Sequence, residues 1–81
     1  MEKIINIRFE GDNSLKEEQK LSYTRYINRI FARQRDDIIA SNGHIKITSK
    51  KGEPGDITFV SDDSKLNKRV SIRLSNSQLP S

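Results

Sequence analysis

The chain has 81 residues, of which 32% are hydrophobic, eleven of them isoleucine, and it carries fifteen Lys and Arg against eleven Asp and Glu, a net charge of +4. That length encloses one domain with a small core, the absence of Cys removes disulfides and thiolate metal sites, and a single His makes a zinc centre rest on carboxylates. No apolar run exceeds three residues, far short of the roughly 20 that cross a bilayer, and residues 1 to 6 lack the apolar stretch of a secretory signal; a cytoplasmic protein without cofactor or metal is expected.

Ile4-Ile5-Asn6-Ile7-Arg8-Phe9 alternates with period two and reads as a half-buried strand with Ile5, Ile7 and Phe9 inward. It stops at Gly11-Asp12-Asn13. Ser14-Leu15-Lys16-Glu17 has the form of a capping box, in which the Ser14 hydroxyl accepts the Glu17 N–H and Glu17 reaches back. From Leu15 to Ala40 there is no Gly or Pro, and Tyr23, Tyr26, Ile27, Ile30, Phe31 and Ile38 recur every three or four residues, which predicts one long helix over residues 14 to 41 with Ile30 central to its apolar stripe. Gln34 interrupts the stripe, so a break near residue 35 is the alternative. Asn42-Gly43 supplies a left-handed stop.

His44-Ile45-Lys46-Ile47-Thr48 and Asp56-Ile57-Thr58-Phe59-Val60-Ser61 alternate again, and Gly52-Glu53-Pro54-Gly55 between them predicts a hairpin with a long turn. Val70-Ser71-Ile72-Arg73-Leu74 suggests a fourth strand, with Val70 and Ile72 inward; Leu66, Val70 and Leu74 at i, i+4 and i+8, behind Asp63 or Ser64 as a cap, fit a helix instead. The expected fold is α+β, β-α-β-β-β with the last element strand or helix: a small antiparallel or mixed sheet with one long helix packed on one face. The domain spans residues 1 to 75, and 76 to 81 form a loose polar tail.

Arg25, Arg29 and Arg33 fall at i, i+4 and i+8 on the helix side away from the stripe, with Arg35 beside them and no acidic residue between 25 and 35. Forked guanidinium donors in a row suit phosphate oxygens; the row equally suits a solvated face partly neutralised by Asp36 and Asp37. A second basic group contains Lys46, Lys50, Lys51, Lys65, Lys68, Arg69 and Arg73. With a fourth strand, the open sheet face carries Lys46, Thr58, Arg73 and Arg8. Aromatic platforms for stacking bases are missing there, because Phe9 and Phe59 point inward and Tyr23 and Tyr26 lie on the core side of the helix.

Asp56, Asp63 and Lys65 can be written as the paired acids and lysine of a metal nuclease. Asp56 and Asp63 flank a short strand that keeps them apart, so turn and cap duty is expected of them. His44 has no Ser, Cys or orienting acid at a telling spacing, which favours a structural histidine over a general base.

Gly52-Glu53-Pro54-Gly55 has the outward form of the GxxG loop of KH domains, although it joins two strands and holds Glu and Pro in its middle. The basic character and the order of elements resemble the RelE-type ribosome-dependent RNase toxins, whose second helix is not visible here. The β-α-β-β-(α) order, with Gly43-His44-Ile45 opening the second strand, is similar to the DinI family that modulates the RecA filament; that family ends in an acidic helix, whereas this chain has Lys65-Leu66-Asn67-Lys68-Arg69. The expected function is a small basic non-enzymatic binding module that engages nucleic acid or a nucleoprotein machine through Arg25, Arg29, Arg33, Arg35, Lys46, Lys68, Arg69 and Arg73. The alternative is a protein inhibitor or modulator of the phage or mobile-element type that binds a nucleic-acid-handling enzyme, and a ribosome-dependent RNase toxin comes third.

Overall fold

Alternation of isoleucine with polar residues builds three strands, β1 (Asn6–Gly11), β2 (His44–Lys50) and β3 (Glu53–Val60). The structure, a computed structural model, describes residues 3–77. β2 lies at the centre of the sheet, parallel to β1 and antiparallel to β3. A parallel pair needs a crossover, which α1 (Glu17–Ile30) and α2 (Arg35–Ala40) supply, and α3 (Ser64–Ser75) follows β3. The fold is α+β with a mixed three-stranded sheet, in the order β-α-α-β-β-α.

All three helices pack on one face of the sheet. Ile5, Ile45, Ile47 and Phe59 meet Tyr23, Ile27, Phe31, Ile38, Leu66 and Val70 in a single core cluster, and Leu15, from the loop before α1, joins it. At about 1.5–3 kcal/mol for each large side chain buried, this cluster holds a domain of this size together with little to spare.

The one long helix expected over residues 14 to 41 is two short ones. Phe31–Gln34 forms a tight turn, with Ala32 N–H donating to the Arg29 carbonyl and Gln34 N–H to the Phe31 carbonyl. A continuous helix would drive Gln34 toward the core; the turn leaves it half-buried and restarts the chain so that Ile38 is fully enclosed. Ile30 is correspondingly off-centre and half-buried, and Ile27 takes the central place. The start also differs. Lys16 N–H donates to Gln19 Oε1 at 2.8 Å, whereas the Ser14 hydroxyl accepts the Gly52 N–H at 2.6 Å. The end is as expected: Asn42 takes a positive φ of 56°, and Asn42 and Gly43 N–H return to the carbonyls of Ile39 and Ile38.

The long hairpin turn is instead a two-residue turn, Lys51-Gly52, with φ of 53° and 81°, the pair of positive angles that matches strand twist. The surplus residue appears as a bulge, with Gly55 and Asp56 facing Thr48, whose Oγ1 accepts the Asp56 N–H at 2.8 Å and donates to the Asp56 carbonyl at 3.1 Å. Pro54 is tolerated because β3 is an edge strand.

The fourth strand is replaced by α3. Asp63 caps it, accepting the N–H groups of Lys65 and Leu66 through Oδ1. Leu66 and Val70 turn into the core with Leu74 beside them, and Ile72, expected inside, is 63% exposed. The polar tail expected over 76 to 81 lies, from residue 78 onward, outside the described residues.

Candidate functional site

The eight basic residues singled out in the sequence occupy different places. Arg25 and Arg29 are exposed on the outer side of α1, where with Ser22 and Tyr26 they line a shallow depression of about 300 Å³. Arg29 lies 5.6 Å from the Tyr26 ring centroid. Arg33 leaves the row because it sits in the turn after α1, and Arg35, half-buried at the start of α2, has an Nε with no hydrogen-bond partner among the described residues. Lys46 stands on β2, on the bare face of the sheet. Arg73 is not on that face; it belongs to α3, its guanidinium 5.6 Å from the Phe31 ring centroid.

Lys68 and Arg69 are the pair that the fold completes. Lys65, Lys68, Arg69 and Ile72 fall at i, i+3, i+4 and i+7, so they share the side of α3 away from the sheet, and all four are exposed. With Arg73, α3 holds four cations and no anion. These are four of the chain's fifteen Lys and Arg, set in twelve residues without an Asp or Glu, and the carboxylate of Asp63 caps the first turn. Among the described residues the one ion pair within 4 Å is Lys20 with Glu17, so no cation of α3 is paired with a carboxylate at that distance. Asp37 and Asp63 line with Arg69 a groove of about 330 Å³ between α2 and α3. Lys65 and Lys68 lie outside it.

Lys65 belongs to this surface because the segment is a helix; a strand would have placed it in the preceding turn. Arg8 and His44 join Lys46 on the bare sheet face through the parallel pairing of β1 with β2. The burial of His44, and then the charges of Arg8 and Lys46, hold its imidazole pKa below the ordinary value.

Two of the acidic residues have structural work: Asp63 caps α3, and Asp12 accepts the N–H groups of Ser14 and Lys51. The Ser14 side chain first, and then the Lys51 N–H, hold the Asp12 carboxyl pKa at about 2. Among the described residues no three His, Asp or Glu side chains come together as a metal would need, and no helix is long and apolar enough to cross a membrane. In comparisons with known proteins, no family model, curated protein or solved structure matches this chain.

Proposed function

We propose that the chain is a non-enzymatic binding module that lays the outer face of α3 against the phosphates of a nucleic acid. The observation that carries this reading is that Lys65, Lys68 and Arg69 stand together on one exposed face of α3 with no ion pair to a carboxylate among the described residues. A helix face with three long cations outside any internal ion pair displaces counterions from a polyanion and gives sequence-independent attachment. Arg25 and Arg29 on α1 add a second cationic patch on the helical layer.

A second reading, a modulator that docks on an acidic protein surface, is favoured by Ile72. An isoleucine 63% exposed, with Lys65, Lys68 and Arg69 one and two turns before it on the same face, has the form of an apolar anchor beside a charged patch. A gel shift with duplex and single-stranded DNA and RNA across a salt series separates the two. Phosphate binding weakens steeply as salt rises; a protein modulator shows no shift with any of the nucleic acids and depends on Ile72 for capture of its partner.

A further inference from the structure

The bare face of the sheet, opposite the helices, brings together Arg8 of β1 with His44 and Lys46 of β2. Arg8 and Lys46 are directly paired across the parallel strands, and His44 stands two residues before Lys46 on the same face. Strand spacing puts the pair about 5 Å apart at the backbone and His44 about 7 Å along the strand. Like charges placed directly across a sheet destabilise it. Neither cation has a carboxylate within 4 Å, since the one ion pair among the described residues lies on α1. Glu10, the nearest acid on this face, is paired with Thr48 one row away. On the β3 side the neighbours are Thr58 and Val60, which carry no charge. His44 is half-buried, and its Nε2 has no hydrogen-bond partner among the described residues.

We infer that Arg8, Lys46 and His44 form a site for a phosphate group, separate from the α3 surface. The guanidinium and the ammonium supply charge-assisted donors to the oxyanion. The imidazole adds a third positive charge beside them when protonated, and Thr58 offers a hydroxyl on the far side of Lys46. A bound anion removes the repulsion between the paired cations, so a position that costs stability in the free protein becomes favourable in the complex. It also changes the electrostatics at His44. Burial first, and then Arg8 and Lys46, lower the imidazole pKa in the free protein, Glu10 opposes them, and an anion over the cations offsets the part due to the two cations. Anion binding is therefore coupled to proton uptake by His44. The two-layer architecture puts this site and α3 on opposite sides of the domain, so each side can hold a polyanion segment without competition.

The test is an NMR titration at constant ionic strength with inorganic phosphate and, separately, a short oligothymidylate without terminal phosphates. Three proteins are compared: the wild type, Arg8→Gln/Lys46→Gln, and Lys65→Ala/Lys68→Ala/Arg69→Ala. Wild-type His44 ring signals move and their titration midpoint rises; the α3 variant behaves the same way, and the sheet variant, whose amide spectrum reports its folding, loses the response. A response to phosphate alone assigns the site to free oxyanions, and a response to both extends it to the nucleic-acid backbone. Absence of any His44 response in the wild type, or an equal response in the sheet variant, overturns the proposal and leaves the α3 reading untouched. Loss of nucleic-acid binding through α3 likewise leaves this site standing.

Discussion

The guanidinium of Arg73 lies 5.6 Å from the centroid of the Phe31 ring, which fastens the last turn of α3 over the end of α1. Phe31 is buried and Arg73 lies at the edge of the helix face turned inward. This arginine is therefore expected to contribute to folding more than Lys65 or Lys68. Arg73→Ala should cost about 0.5–1 kcal/mol by removing the cation–π interaction and the packing of the stem, and Lys68→Ala should be within about 0.5 kcal/mol of neutral. Urea denaturation of the two variants checks the difference.

Ile27 is fully enclosed in the core and Ile30 is half-buried at its margin. Ile27→Ala is expected to cost about 2–5 kcal/mol, and Ile30→Ala about 1–2 kcal/mol. The order of the two midpoints in thermal or chemical unfolding is the readout, and an equal loss would place Ile30 in the centre of the stripe.

Gly11 and Gly52 both take positive φ, at 95° and 81°, with different surroundings. A Cβ on Gly52 meets nothing within 4 Å, so Gly52→Ala carries the left-handed penalty of about 1–2 kcal/mol. A Cβ on Gly11 collides with the Ser49 carbonyl oxygen and amide nitrogen, where backbone must move. Gly11→Ala is expected to cost more than about 3 kcal/mol. Parallel denaturation curves for the two variants test this.

Asp12 ties the loop before α1 to the β2–β3 turn, and hydrogen bonds from Ser14 first and the Lys51 N–H second hold its carboxyl at about 2. Because the folded value lies below the ordinary carboxylate range, its contribution is complete above pH of about 4 and disappears as pH falls toward 2. Asp12→Asn should lower stability at neutral pH and flatten the fall in stability between those pH values. An NMR titration of the Asp12 carboxyl and stability measured across that range provide the check.

The strands are legible in the sequence because alternation fixes both their existence and their inward side; Ile5, Ile45, Ile47 and Phe59 all face the core. The C-terminal element is ambiguous there because Val70 to Leu74 satisfies both periods at once. What decides it is local: Asp63 caps the first turn, and Asn67 bonds Ser61 through both ends of its amide, with Oδ1 accepting from the hydroxyl and Nδ2 donating to the carbonyl. The break after Phe31 is signalled by Gln34 but not required by it. Ser14 has a persuasive local partner in Glu17, and its actual partner, the Gly52 N–H, lies 38 residues away, where sequence spacing carries no information. The basic surface is half visible for the same reason. Lys68 and Arg69 stand out as a pair, but the grouping of Lys65 and Ile72 with them depends on helical periodicity, and the pairing of Arg8 with Lys46 depends on strand register.

The exposed cationic face of α3 is the centre of the functional reading, and its most direct test is the salt dependence of duplex binding by wild type and by Lys65→Ala/Lys68→Ala/Arg69→Ala. All three residues are exposed, so the variant should keep its fold. The reading predicts weaker binding and a dependence of log affinity on log salt that is shallower by up to about 2.7, at roughly 0.9 for each phosphate no longer neutralised. Unchanged affinity with an unchanged slope, in a variant that remains folded, would contradict it.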